Sequence, residues 1–153
     1  MTVRLAGPDD IDVVARLLTE FREHEGRDWP PLESIRAGVE RLMPRDDTEF
    51  LLGGDPPAGV VQLRYRYGVW WDSEDCNVED VFVSADARGS GLGRALVSFA
   101  IDRARERGCR RMELDVNEAN APALALYESF GFTTGAPRDL YMRRHLDAGP
   151  DAT

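Results

Sequence analysis

At 153 residues, 42% of them hydrophobic, the chain has the size of one ordinary domain and enough apolar material for a core. Its formal charge of −9 argues against a general nucleic-acid binder, which needs a basic face to replace the counterions of phosphate. The surplus acid suits a cationic small molecule, and it also keeps a surface solvated.

Thr2 to Leu5 reads as a short strand, and Gly7-Pro8-Asp9-Asp10 as a turn into a helix. That helix carries the stripe Ile11, Val14, Ala15, Leu17, Leu18 and Phe21, and ends before Gly26. After the connector Trp29-Pro30-Pro31, Leu32 to Met43 has the pattern of a second helix, stopped before Pro44. Glu49 to Leu52 is strand-like and Gly53 to Pro57 a turn. Ala58 to Tyr67 alternates as a half-buried strand, with Val61, Leu63, Tyr65 and Tyr67 against Gln62, Arg64 and Arg66. A loop from Gly68 to Asp75 carries Trp70 and Trp71. Cys76 to Val83 is a further strand, but Val78, Val81, Phe82 and Val83 break the two-residue period, as a β-bulge would.

Leu92, Ala95, Leu96, Phe99 and Ala100 then mark a helix buried along one face, with a charged end from Asp102 to Arg107 and a stop at Gly108. Arg111 to Val116 is the next strand. Asn120 can cap a short helix, Ala121 to Phe130, with Pro122 tolerated in its first turn and Gly131 ending it. Phe132 and Leu140 to Met142 read as closing strands. Residues 1–146 are expected to form one α/β domain, with 147–153 a flexible tail. No uncharged run approaches a membrane span, and MTVRLAGPDD lacks the apolar run of a signal peptide, so a cytoplasmic protein without a membrane partner is expected. Cys76 and Cys109 have no metal-ligand spacing, and no metal site is expected.

The stretch Ala87 to Leu96, ARGSGLGRAL, places three glycines at a helix start, where each loses more entropy on ordering than any other residue. Bare backbone there suits an anion: free N–H groups point outward, the helix dipole favours negative charge, and Arg88 and Arg94 stand on either side. Neither the dinucleotide spacing G-x-G-x-x-G nor the Gly-Lys-Ser/Thr of a P-loop is met. The spacing that is met, Arg-x-x-Gly-x-Gly at Arg88, Gly91 and Gly93, resembles the coenzyme-A pyrophosphate loop of the GNAT family of N-acetyltransferases. The preceding VEDVFVS, Val78 to Ser84, resembles that family's fourth strand. Downstream, NAPALALYESFGF, Asn120 to Phe132, resembles its N-x-x-A-x-x-L-Y-x-x-x-G-F segment at the matching distance. The similarity is strongest over residues 76–133.

The resemblance implies a mixed, mostly antiparallel central sheet flanked by helices, with a V-shaped splay between the fourth and fifth strands. It implies direct transfer of an acetyl group from acetyl-CoA to an amine. Val81, Phe82 and Val83 would hold the pantetheine arm like an added strand, and Arg88, Gly89, Ser90, Gly91, Leu92, Gly93 and Arg94 the diphosphate. Asn120, a plain helix cap on its own pattern, would also touch the cofactor. A primary amine, with a pKa of roughly 10.4, must lose a proton before it attacks. Glu79 matches the position of the base, often acting through water, and Asp80 beside it would position the cationic amine. Which of these carboxylates takes the proton stays open. Tyr127 matches the tyrosine that protonates the departing thiolate, although its spacing from Ala123 and Leu124 also fits core packing. A homodimer is a further expectation of the family.

In the family the first two helices and the loop after the third strand line the acceptor site, which here would recruit Trp29, Trp71, Asp72 and Asp80. Acids with aromatics suit a cationic amine by charge and cation–π contact. A non-catalytic acyl-CoA-binding regulatory module and a transferase acting on a protein or peptide amine are the alternative readings.

Overall fold

The alternating strand Gly59–Gly68 (β3) becomes the middle of a five-stranded sheet in the computed structural model, which describes residues 1–147. The chain forms two compact units that divide between Leu114 and Asp115. The first holds β1 (Val3–Leu5), α1 (Ile11–His24), α2 (Leu32–Leu42), β2 (Thr48–Gly53), β3, β4 (Ser73–Val83), α3 (Leu92–Glu106) and β5 (Arg111–Leu114). Its strands lie in the order β1-β2-β3-β4-β5; the first three pairings are antiparallel and β4–β5 is parallel. This is the mixed, mostly antiparallel sheet flanked by helices that the resemblance implied.

Each face of the sheet has its own core. Val14, Ala15 and Leu17 of α1 and Val39 of α2 pack on Phe50, Leu52, Val60 and Phe82. On the other face, Leu92, Leu96, Ala100 and Ala104 of α3 pack on Leu51, Val61, Leu63, Tyr65, Cys76 and Val78. These α3 positions recur every three or four residues, so one stripe of the helix is dry; each leucine fully buried there contributes about 1.5–3 kcal/mol. The far end of α3 is fastened by charge. Arg103 bonds Glu49 at 2.6 Å, Tyr65 Oη donates to the same carboxylate at 2.6 Å, and the Arg107 guanidinium lies 3.7 Å from the Tyr65 ring centroid.

The near end of α3 approaches the sheet over a glycine pair. Gly53 and Gly59 face one another across β2 and β3, and a Cβ on Gly59 would lie 2.7 Å from Leu96 Cδ1 and 3.2 Å from Leu92 Cδ2. Both leucines are buried and cannot swing into solvent. Gly59→Ala is therefore expected to destabilise by about 1–2 kcal/mol, the overpacking strain outweighing the few tenths to about 1 kcal/mol that alanine gains by stiffening the unfolded chain. Thermal denaturation reads this as a lower Tm; an unchanged Tm would mean that α3 does not lie so close.

The broken period in β4 is a bulge. Val61 pairs with Val81 and Gln62 with Asp80, but Leu63 pairs with Val78, so Glu79 is the extra residue. Cys76 and Val78 before it, and Val81 and Val83 after it, all pack toward α3. Without the extra residue, Val81 and Val83 would turn to the opposite face.

In the second unit α4 (Ala121–Ser129) is capped by Asn120, whose side chain accepts from the Ala123 N–H at 3.3 Å. Its far end closes with Phe132 N–H on Tyr127 O at 3.1 Å and Gly131 N–H on Glu128 O at 2.9 Å, with Gly131 at φ +91°. That is a Schellman motif, and it brings Phe132 edge-on to Tyr127 with ring centroids 6.0 Å apart. The closing strands expected at Phe132 and Leu140 to Met142 are not formed: among the described residues no strand follows Leu114. Leu140, Tyr141 and Met142 are exposed instead. An apolar run becomes a strand only where a neighbour accepts its hydrogen bonds, and among the described residues of this unit no strand does so. Of the tail expected over 147–153, all but Asp147 lies outside the described residues.

Candidate functional site

β4 outlasts its neighbour. Its last pairing with β5 is Val78 with Leu114, yet it runs on to Val83. The Ser84 N–H donates to Ala58 O at 2.8 Å, so strand alternation points the backbone groups of Val83 and Val81 away from β3 and toward the edge that β5 has left. The Phe82 side chain faces α1, stacked on Phe21 at 5.2 Å between ring centroids with His24 at 6.2 Å. Ser84 Oγ donates to Glu20 Oε2 at 2.6 Å and ties α1 to the same strand end.

The chain then turns into α3. Arg88 folds back, its Nε donating to Val83 O at 3.1 Å and its guanidinium standing 5.7 Å from the Phe82 ring centroid. The Ser90 hydroxyl donates to Ala87 O and closes the turn. Gly89 and Gly91 adopt φ +77° and +87°, a left-handed backbone that side chains rarely tolerate. Gly91 is the N-cap of α3 and has no side chain to cap it; the first helical bond is Ala95 N–H to Gly91 O at 3.0 Å. The amides of Leu92, Gly93 and Arg94 precede that bond, at the positive end of the helix dipole. Leu92 itself is buried in the core, so it holds this turn by its side chain, while Arg94 is exposed.

The bulge sets two adjacent carboxylates in unlike surroundings. Glu79 is exposed and accepts from Asn77 Nδ2 at 3.2 Å. Burial and the neighbouring Glu79 charge hold Asp80 above the usual carboxylate range, and the Arg27 charge only partly offsets them. Next to Glu79 on the same sheet face lies a cavity of about 210 Å³ lined by Arg64, Arg66, Asp75, Asn77, Glu79 and Glu113.

Glu79, Asp80, Val81, Phe82, Val83 and the segment from Arg88 to Arg94 thus follow one another along the end of β4 and the start of α3. Trp71 and Asp72 do not join them. They sit at the turn from β3 to β4, about 30 Å from Val83 at a strand rise of roughly 3.3 Å per residue. There the Arg111 guanidinium stands 5.4 Å from the Trp71 ring centroid, and Asp72 accepts from Tyr67 Oη at 2.7 Å. Trp29 is exposed on the connection between α1 and α2. In the second unit Asn120 caps α4 and half-buried Tyr127 lies two turns along it. Sequence reasoning overlooked Arg64, Asn77 and Glu113. They alternate with core residues and look like a solvent-facing strand side, and only the register shows that they stand opposite one another.

Comparison with known proteins agrees with this architecture. The N-acetyltransferase MJ1207 of Methanocaldococcus jannaschii, itself uncharacterised, is 31% identical over 141 residues, covering 86% of this chain and 60% of that protein. The ribosomal protein bS18-alanine N-acetyltransferase of Escherichia coli K12 is 38% identical over 68 residues, 44% of this chain and 46% of the relative. The streptothricin acetyltransferase of Streptomyces lavendulae is 41% identical over 66 residues, 43% of this chain and 34% of the relative. The chain thus spans less than two thirds of each of these curated relatives. A crystal structure of a protein from Arthrobacter sp. FB24, assigned as an acetyltransferase, superposes with a TM-score of 0.87 at 30% identity, covering 95% of this chain and 96% of that one. The model of the acetyltransferase (GNAT) family matches residues 14–132, from α1 through the turn that closes α4, and the chain belongs to that family.

Proposed function

We propose that the protein is an N-acetyltransferase that uses acetyl-CoA to acetylate the amine of a small molecule. One observation carries the reading: a strand edge that β5 has left at Val81 and Val83, with only the Val83 carbonyl taken, by Arg88, runs through a glycine turn into an uncapped helix N-terminus. An amide-bearing arm can pair with the edge, and a diphosphate suits the amides from Leu92 to Arg94 with Arg88 beside them. These residues fit coenzyme A. Acetyl-CoA supplies the acetyl group, whose bond to sulfur breaks as a bond to the amine nitrogen forms.

The chain's own residues manage the protons. The amine arrives as an ammonium, and Glu79, with its amide neighbour Asn77 holding its orientation, takes the proton directly or through water. Asp80 draws the cation in. Tyr127, by its place in the family's L-Y-x-x-x-G-F segment, returns a proton to the departing thiolate. The 210 Å³ cavity beside Glu79 supports a small acceptor in preference to a protein surface.

Two measurements on one sample test this. Coenzyme A is expected to raise Tm, by the equivalent of about 2.7 kcal/mol at a hundredfold excess over Kd. Acetyl-CoA with a panel of small amines is expected to release free thiol. A shift without thiol release would favour the non-catalytic acyl-CoA-binding module, and the absence of both would remove the reading.

A further inference from the structure

Below the bulge, side chains of three strands meet in rows on one sheet face. Arg66, Asp75 and Arg111 stand opposite one another across β3, β4 and β5, and Arg64, Asn77 and Glu113 form the next row. The acids of the resulting cavity are largely engaged. Arg111 bonds Asp75 Oδ2 at 2.6 Å and Glu113 at 3.0 Å, and Glu79 accepts from Asn77. The cavity's two arginines form no such bond, though the Arg64 charge acts on the Asp47 carboxylate. Among the described residues neither Arg64 nor Arg66 has a hydrogen-bond or ion-pair partner, and Arg64 Nε is buried. Asp75, whose side chain is only 7% exposed, keeps Oδ1 unpartnered as well.

A half-buried guanidinium with unused donors is matched by a planar anion, and a carboxylate fits its fork. The other end of the cavity is Glu79, where β4 leaves β5 and its edge opens. At a strand rise of roughly 3.3 Å per residue, the Arg64 row lies about 7 Å from Glu79 and the Arg66 row about 13 Å. At about 210 Å³ the cavity is smaller than the roughly 300–1,000 Å³ that holds drug-sized ligands.

We infer that the acceptor is an amino acid, its amine at Glu79 and its carboxylate held by Arg64, with Arg66 reached by longer molecules. The inference rests on the acetyltransferase reading and narrows its acceptor from any cationic amine to one that carries its own counter-charge. The protons balance as well: the N–C bond forms and the C–S bond breaks, one ammonium proton leaves toward Glu79 before attack, a second leaves the nitrogen as the amide forms and replaces the one Tyr127 gives to the thiolate, and the carboxylate is untouched.

Calorimetric titration tests it without turnover. The full chain, with and without coenzyme A, is titrated with the common L-amino acids, and each one that binds is compared with its carboxamide. The free acid is expected to bind at least tenfold more tightly than the amide. Arg64→Gln should abolish that preference and Arg64→Lys restore part of it, while the coenzyme-A shift in Tm stays at the parent value in both. Arg66→Gln, at an exposed position, provides the same test for longer acceptors should Arg64→Gln fail to fold. No binding by any amino acid, equal binding of acid and amide, or a preference that survives both glutamine variants would overturn the inference. The two readings also fail separately. Thiol release with carboxylate-free amines and no carboxylate preference would leave acetyl transfer standing alone. A carboxylate preference with no coenzyme-A shift would do the opposite.

Discussion

Glu79→Gln is expected to lower kcat/KM for the amine by about 10²–10⁴-fold, the usual worth of a positioned base, while the coenzyme-A-induced shift in Tm is kept. The amide preserves the shape of the side chain and can still accept from Asn77, so what is lost is the ability to take a proton. The substitution also reaches its neighbour. Asp80 is held above the usual carboxylate range first by burial and then by the charge of Glu79, so removing that charge lowers the Asp80 pKa without returning it to its ordinary value. A carboxyl NMR titration reads this directly. The sign for stability follows from the same direction. A carboxyl whose pKa is raised in the folded state stabilises fully below its unfolded pKa, roughly 3.9, and loses that stabilisation as pH rises through the folded value. Above its folded pKa the partly buried Asp80 carboxylate is therefore a burden. Asp80→Asn should melt higher than the parent at pH values above the folded pKa and lose that advantage below about pH 4, while KM for the amine rises. Equal melting temperatures across the whole range from pH 4 to alkaline pH would remove the strained carboxylate, and unchanged turnover in Glu79→Gln would remove the base.

The two carboxylates also show where a sequence stops being informative. Adjacent acids look alike in a string of letters. Their difference is one of burial: at the bulge Asp80 is largely withdrawn from water while Glu79 beside it stays exposed. The bulge was legible, since Val78 and Val81 fall out of step, but which of the two acids it withdraws from water was not. Gly91 was legible for a stronger reason: a left-handed N-cap without a side chain almost demands glycine. Gly131 announced the end of α4 in the same way. Leu140 to Met142 misled because an apolar run carries no record of whether a partner strand exists. Arg64 and Arg66 were hidden by the opposite effect. Their alternation with Leu63 and Tyr65 marks them as facing away from the core, and only the pairing with Asn77 and Asp75 shows a cavity in place of open solvent.

Tyr127→Phe is expected to lower kcat by about 10²-fold or more with Kd for acetyl-CoA within about twofold of the parent. Phenylalanine keeps the edge contact with Phe132, and the Schellman closure at Gly131 and Phe132 uses only backbone groups. Tm is read on the same variant, and a parent-like value beside the lost turnover separates a chemical role from a packing one. The size of the loss follows from the leaving group. A thiol has a pKa of roughly 8.5 and a phenol roughly 10, so a free thiolate can acquire its proton from water in the end. The phenol acts earlier, while the C–S bond is breaking and negative charge is building on sulfur, and turnover without it slows but does not stop. Unchanged kcat would remove Tyr127 from the reaction, whereas parallel losses of kcat, acetyl-CoA affinity and Tm would make it a packing residue of α4.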